Sequence, residues 1–458
     1  MQSFQRQFWP KFREFAKVFF YLLAVSFILL WPAIWNGYPL FFSDSSKYIL
    51  SSITRQVPND RPIGYSYFIR LFFGGFTLWT VIFAQAFFTV YLLWKAVGIF
   101  FKKHRYKIHL LTVACLGFFT LAPWMASQMM PDIFSGLLLL IIFVFTTGEM
   151  KLAERCFLVF LMFLFLITHN ANFLLSFGVL ALTWVCLYFK KSFAGLRKKY
   201  FKRIGVLAIV TIFAPIFFVF SNYHQGYGLT LNPSSHVFMM SRVNEAGILD
   251  DFLLTHCSEV HYFLCDYQGH FPQDDGFIWD TQSPANIEGW DNAKPEYDDI
   301  LHQIFTNPRY IFTFIADSAY RSSKLFFMWG MDNYYPYDSD PQYPKILQFS
   351  PSEFSDYSQT RQYQGQFQSV DFFALTYFLV VFLSAVAVAW MFFRGLFDSQ
   401  EKFFIFEVLA LFAINSVVLG TLSGVYGRYQ ERIVWLLPLS LFLFAAGKIF
   451  NKKISAKK

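Results

Sequence analysis

The stretch VFFYLLAVSFILLWPAIWNGYPLFFSDSSKYIL, residues 18–50, joins a run of apolar residues to a cluster of polar ones. The apolar part is long enough to cross a bilayer, because a transmembrane helix needs about 20 predominantly apolar residues. The polar part contains Asp44, Lys47 and Tyr48. The stretch therefore predicts a membrane span that is followed, at one membrane surface, by an acid, a base and a phenol.

The whole chain has the composition of a polytopic membrane protein. Of its 458 residues 55% are hydrophobic and 63 are phenylalanine, more apolar surface than a soluble core needs. The net charge of +8 comes from short basic clusters between apolar runs, a pattern typical of cytoplasmic loops. A nucleic-acid interface would require these residues to share a face, so nucleic acid is not an expected partner. The N-terminal apolar run is too long for a signal peptide, and we expect it to remain as a span.

Ten apolar segments are predicted to span the membrane. They cover residues 15–37, 79–101, 108–126, 132–148, 155–170, 172–189, 204–222, 371–393, 403–422 and 432–449. The basic clusters near the N-terminus, at 102–107, at 190–203 and in the C-terminal tail then all lie on one side. The positive-inside rule makes that side the cytoplasm, so both termini are expected there.

The spans divide the chain into three predicted regions. Residues 1–222 form an N-terminal transmembrane module with a first outer loop at 38–78. Residues 223–370 form an extracytoplasmic domain, and residues 371–458 form the C-terminal transmembrane helices. The predicted fold class is an all-α polytopic membrane protein with an amphipathic first outer loop and a mixed extracytoplasmic domain.

The region between the seventh and eighth spans is rich in aromatic residues, which indicates a folded domain because disordered segments lack them. Within it, residues 309–330 have an apolar stripe and form either an interfacial helix or an eleventh span. An odd number of spans would conflict with the basic C-terminal tail, which favours the interfacial helix. Cys257 and Cys265 form a disulfide candidate if the region faces an oxidising compartment.

Polar residues gather at the predicted outer face, where ionisable groups are costly and are therefore candidates for function. Asp44 follows the first span and Asp132 begins the fourth, and both are also compatible with ordinary helix-start roles. The other candidates are Lys47, Tyr48, Arg61, His169, Asn170, Arg428 and Arg432. For His169 a structural hydrogen-bonding role stays open, and for the last two arginines so does a salt bridge with Glu431.

Three segments resemble membrane glycosyltransferases of the GT-C fold. The acid of FSDSSKY at 42–48, followed by RPIGY at 61–65, resembles the first outer loop of protein mannosyltransferases and lipid A aminoarabinose transferases. MMPDIF at 129–134 is similar to their second acidic segment, and GRYQERIVWLLPL at 427–439 is similar to a helix near the end of many members. The resemblance covers mainly residues 1–220 and 420–447. Several relatives carry two adjacent acids in the first loop, whereas a serine follows the single acid here.

The resemblance implies transfer of a sugar from a polyprenyl-phosphate donor to a lipid, glycan or protein acceptor, at the outer face of a bacterial plasma membrane. Asp44 is the first choice for the catalytic base and Asp132 the second. The other acid would orient the donor or hold a divalent cation such as Mg²⁺ or Mn²⁺. Arg61, Arg428 or Lys47 would neutralise the phosphate, with membrane lipids around the donor tail.

Two other functions fit parts of the same pattern. A surface-polysaccharide polymerase or ligase would also use a large outer loop, with arginines that grip a lipid-linked diphosphate. A lipid-linked sugar flippase or transporter is less favoured, because transport usually requires polar or broken spans near the bilayer midplane. The spans here are nearly pure Phe, Leu, Val and Ile at their centres.

Overall fold

The computed structural model describes residues 2–74, 76–189, 197–272, 274–331, 350–367 and 370–455. It is 75% helical, and the described residues contain no β-strand. One isolated parallel bridge pairs Leu40 with Gln128. The prediction of an all-α protein is confirmed, whereas the described part of the 223–370 region is helical and not mixed. Residues 190–196 of the basic segment at 190–203, together with the last three residues of the tail, lie outside the described residues.

The helices of the first 224 residues are numbered in chain order. They are α1 (Gln2–Ser26), α2 (Trp31–Asn36), α3 (Ser45–Thr54), α4 (Gly64–Phe73), α5 (Trp79–Phe100), α6 (Arg105–Phe119), α7 (Ala122–Ser127), α8 (Ile133–Thr147), α9 (Leu152–Leu166), α10 (Asn170–Phe189) and α11 (Arg197–His224). A 3₁₀ turn, Phe27–Leu30, joins α1 to α2 within the first apolar run.

The second half of the chain begins with shorter helices and ends with long ones. They are α12 (Ser235–Glu245), α13 (Ile248–His256), α14 (Gly276–Trp279), α15 (Pro284–Glu288), α16 (Lys294–Thr306), α17 (Pro308–Phe326), α18 (Pro351–Ser358), α19 (Val370–Phe393), α20 (Ser399–Leu422), α21 (Arg428–Val434) and α22 (Leu436–Ser455).

In the described part of the chain, six helical segments are long and apolar enough to cross a membrane. They are Phe12–Asn36, Trp79–Phe100, Asn170–Phe189, Tyr200–His224, Phe372–Phe393 and Ser399–Leu422. The protein is therefore an all-α, membrane-embedded chain. The other four predicted spans coincide with helices that are shorter or interrupted, namely α6 with α7, α8, α9, and α21 with α22.

Helix α17 packs against α20 and is not among the apolar spans. The two helices approach so closely that a Cβ atom on Gly420 would lie 2.7 Å from the backbone nitrogen of Ser322. Arg242 of α12 joins the same contact, since it pairs with Asp317 at 2.9 Å and donates to the Thr421 carbonyl at 3.1 Å. These bonds fix the 223–370 region onto the end of α20.

The buried apolar residues form two clusters. One joins residues 22–218 to residues 325–446, and the other lies within residues 237–314. The second cluster gives the region after α11 a core of its own. Cys257 and Cys265, next to this core, are joined by a disulfide.

Candidate functional site

The chain that leads into the polar cluster is held on both sides by backbone hydrogen bonds. On one side Leu40 donates to the Ser127 carbonyl at 2.9 Å and accepts from the Met129 amide at 2.8 Å. On the other, the Gln362 amide accepts from the Phe41 backbone at 2.9 Å and donates back to it at 2.7 Å. The position of the residues that follow is therefore set by two distant parts of the chain.

Asp44 stands at the start of α3, but its side chain makes no capping hydrogen bond. Its Oδ1 atom lies 2.9 Å from Nη1 of Arg61, and its Oδ2 atom lies 3.4 Å from Nη2 of Arg428. The carboxylate therefore bridges two guanidinium groups instead of capping the helix. Its side chain remains 23% exposed, so it is accessible from the adjoining cavity.

Asp60 is a site residue that sequence reasoning missed. Its Oδ2 atom accepts from Nη2 of Arg61 at 2.8 Å and from Nζ of Lys47 at 2.7 Å. Its Oδ1 atom accepts from Nε of Arg61 at 3.1 Å. The side chain is only 1% exposed, so its charge is committed to these two partners. Its position immediately before the Arg-Pro-x-Gly-Tyr segment is the feature of the sequence that could have indicated a role in the site.

Gly64 explains why that segment needs a glycine. A Cβ atom at this position would lie 1.9 Å from the carbonyl oxygen of Ile167, which is backbone and cannot move aside cheaply. The absence of a side chain lets the start of α4 touch the turn between α9 and α10. That turn carries His169 and leads into Asn170, the first residue of α10, so the close approach brings two predicted site segments together.

The turn between α9 and α10 presents two polar side chains. Nδ1 of His169 accepts the backbone N–H of Ala171 at 3.1 Å, so the neutral ring carries its proton on Nε2 and can donate it. Oδ1 of Asn170 is buried and has no hydrogen-bond partner among the described residues. Both residues line the same cavity as Asp44.

This cavity has a volume of about 690 Å³ and lies between residues 42–62 and helices α10, α11, α12, α14, α20 and α21. Seven of the nine predicted catalytic and substrate-binding residues line it, namely Asp44, Lys47, Tyr48, Arg61, His169, Asn170 and Arg428. Apolar side chains of three long helices complete the wall, among them Phe173, Phe218 and Leu419. The cavity thus combines a charged cluster with an apolar lining.

The charges of this cluster shift the proton affinities of its members. Burial opposes ionisation of Asp44, but Arg61 and Arg428 outweigh it and hold the pKa of Asp44 below its usual value. Burial acts in the same way on Asp60, and its two cationic partners lower its pKa to about 2. Burial raises the pKa of Tyr48, so its phenol stays protonated. At neutral pH both carboxylates are ionised.

Asp132 and Arg432 do not line the cavity. Asp132 is 5% exposed, and its Oδ1 atom has no hydrogen-bond partner in the described part of the chain. Arg432 is fully buried and donates twice to Oδ1 of Asn415, at 2.8 and 3.2 Å. The carboxylates of Asp44 and Asp132 both act electrostatically on Arg428. Asp132 and Arg432 therefore lie behind the cavity wall.

A divalent cation does not fit the residues that are present. Within the described ranges, no group of three or more His, Cys, Asp or Glu side chains is placed to hold a metal ion. The carboxylate of Asp44 is paired with arginine, and that of Asp60 is paired with Arg61 and Lys47. A cation would have to displace these positive groups, so the carboxylates do not form a binding site for Mg²⁺ or Mn²⁺.

Comparison of the chain with models of protein families, with curated proteins and with solved structures found no match.

Proposed function

We propose that this protein is a GT-C-like membrane glycosyltransferase, which transfers a sugar from a polyprenyl-phosphate donor to an acceptor hydroxyl. The proposal rests on one observation above others: Asp44 is held between two arginines in a cavity that also has an apolar wall. A lipid-linked sugar phosphate needs these three features, an acid, a cationic phosphate site and a surface for the lipid.

The proposed membrane arrangement has ten spans, with both termini in the cytoplasm and the cavity at the outer face of a bacterial plasma membrane. The disulfide between Cys257 and Cys265 supports an oxidising location for the 223–370 region. The interrupted helices α6–α7 and α21–α22 would each cross the bilayer as a pair. Short helices such as α8 would cross with help from the surrounding protein, because α8 is buried along its length.

The donor phosphate would bind Arg61 and Arg428, since guanidinium groups recognise phosphate with two parallel hydrogen bonds. The polyprenyl chain would lie along Phe173, Phe218 and Leu419. Binding of the phosphate would take the guanidinium groups away from Asp44. Burial would then dominate, and the pKa of Asp44 would rise, which makes it a stronger base in the complex than in the free protein.

In the transfer step, the oxygen of the acceptor hydroxyl attacks the anomeric carbon of the sugar. Its proton passes to the carboxylate of Asp44 as the new C–O bond forms. The bond between the anomeric carbon and the phosphate oxygen breaks, and its electron pair leaves with polyprenyl phosphate. Arg61 and Arg428 stabilise the charge that develops on this leaving group.

A polymerase or ligase that takes a lipid-linked diphosphate is the second candidate. The observation in its favour is that three cationic side chains, those of Lys47, Arg61 and Arg428, line one cavity. A diphosphate carries more negative charge than a monophosphate and would use all three. The two candidates therefore differ in the donor that they consume.

The test uses the full chain in lipid nanodiscs with radiolabelled sugars on polyprenyl monophosphate and on polyprenyl diphosphate. A lipid and glycan extract of the source cells supplies the acceptor. We expect consumption of a monophosphate donor and a loss of about 10²- to 10⁴-fold in Asp44→Asn. The exposed residue outside the cavity, Asp266, gives the matched control Asp266→Asn. Use of diphosphate donors alone would favour the polymerase or ligase, and full activity of Asp44→Asn would exclude this acid as the base.

A further inference from the structure

Trp279 occupies an unusual place at the boundary between the 223–370 region and the cavity. It is the last residue of α14, it lines the cavity, and it is 45% exposed. Exposure of a large aromatic side chain leaves apolar surface in contact with water, which is unfavourable. A concave position with such a surface is typical of a ligand-binding wall.

The indole ring of Trp279 is fixed by neighbouring aromatic rings. Its centroid lies 6.4 Å from that of Phe238 and 5.9 Å from that of Trp290, and these two are 6.1 Å apart. The Nε1–H group of Trp290 donates to Asn286 at 3.0 Å, which holds the third ring in place. The three rings therefore form a rigid aromatic group, and Trp279 is its exposed member at the cavity.

Two polar residues lie one helical turn before members of this aromatic group, Asp275 before Trp279 and Ser235 before Phe238. Asp275, at the start of the same short helix, lines the cavity, and so does Ser235 at the start of α12. The Ser235 hydroxyl makes no hydrogen bond with other described residues, so it can donate to or accept from a ligand. Nζ of Lys47 lies 5.0 Å from the ring centroid of Trp279 and links this group to the first outer loop.

We infer that Trp279, Asp275 and Ser235 form a saccharide-binding subsite, and that the acceptor of the proposed reaction is a glycan. A sugar ring has an apolar C–H face that stacks on an indole, while its hydroxyl groups bond to carboxylate and hydroxyl oxygens. A simple lipid acceptor would use only the aromatic surface and would make no use of the Asp275 carboxylate or the Ser235 hydroxyl. The claim that the bound glycan is the acceptor rests on the proposed function, whereas the binding of a saccharide at this subsite does not.

The test measures binding of neutral oligosaccharides to the detergent-solubilised full chain by saturation-transfer difference NMR and calorimetry. The probes are gluco-, manno-, galacto- and N-acetylglucosamine oligomers. We expect at least one series to bind, about tenfold weaker in Trp279→Ala and less affected in Trp279→Phe. Asp275→Asn is expected to weaken the same series. Trp390, which is 57% exposed on α19 and outside the cavity, gives the control Trp390→Ala with unchanged binding.

Polyprenyl phosphate binding, measured in the same variants, separates this inference from the proposed function. It is expected to be unchanged in Trp279→Ala. Saccharide binding that depends on Trp279 in a protein that transfers no sugar would support the subsite and contradict the transferase. Absence of binding by every probe, or equal binding by Trp279→Ala, would overturn the subsite even if transfer from the lipid donor were observed.

Discussion

Arg428 places its Nη2 atom 3.4 Å from Oδ2 of Asp44, although 384 residues separate the two in the chain. The guanidinium group also lies 4.1 Å above the ring of Phe42, so the segment between α2 and α3 contacts it twice. Because Arg61 binds the other oxygen of the same carboxylate, the acid, the first loop and the start of α21 form one unit. In the proposed function, the donor phosphate competes with Asp44 for these two arginines.

Replacement of Arg428 by lysine is expected to weaken donor binding. Lysine keeps the charge but cannot make two parallel hydrogen bonds to phosphate or lie flat on Phe42. We expect the KM for the polyprenyl-phosphate sugar to rise about tenfold or more in Arg428→Lys, and further in Arg428→Ala. The exposed Arg309 provides the control Arg309→Lys, which should behave as wild type. An unchanged KM in Arg428→Ala would remove this residue from the phosphate site.

The pH dependence of transfer is expected to differ between the free protein and its donor complex. The two arginines lower the pKa of Asp44 in the free protein, so the carboxylate stays ionised at lower pH than an ordinary aspartate does. The acid limb of kcat/KM should therefore lie at lower pH than the titration of an ordinary aspartate. If phosphate displaces the carboxylate, the acid limb of kcat should lie at higher pH. Coincident limbs would show that donor binding leaves the environment of Asp44 unchanged.

Asp60 is expected to contribute to stability in a defined pH range. Its pKa in the folded protein is about 2, below its ordinary value of 3.8. A depressed pKa stabilises the folded state fully above pH ~4, and this stabilisation is lost as the pH falls toward 2. We expect Asp60→Asn to lower the free energy of unfolding by about 2 kcal/mol at pH 7. Denaturant unfolding at several pH values checks this, and a constant difference down to pH 2 would contradict it.

Gly64 is expected to tolerate no side chain. Because a Cβ atom would overlap the Ile167 carbonyl oxygen, Gly64→Ala must push α4 away from the turn that carries His169. We expect a loss of about 1–3 kcal/mol in stability, with reduced transfer. Gly205, also helical, has nothing within 4 Å of its Cβ position, so Gly205→Ala should be neutral or stabilising. Equal stability of both variants would contradict the close approach.

Hydropathy and charge were enough to predict an all-α membrane protein and to select seven residues that line one cavity. Asp44 follows one predicted span and Arg428 precedes another. The two residues could be grouped because the ends of apolar spans indicate a position near the membrane surface. Their direct contact could not be predicted, since depth does not specify which helices are neighbours. The role of Asp60 depends on the same missing information.

Asp132 shows a second reason why the site could not be fully predicted from the sequence. Its place before α8 predicts a depth in the bilayer, but the rotation of a helix about its axis decides which cavity a terminal side chain reaches. Here the side chain is buried behind the wall that contains Arg428. The break between α21 and α22 at Trp435 is equally hidden, because the apolar pattern of the sequence continues across it.

The most direct test of the central claim is a cryo-EM map of the full chain with polyprenyl phosphate in nanodiscs. We expect phosphate density within ion-pair distance of both Arg61 and Arg428, with the lipid chain along Phe218 and the carboxylate of Asp44 released from at least one arginine. Phosphate bound elsewhere, with both arginines still paired to Asp44, would contradict it.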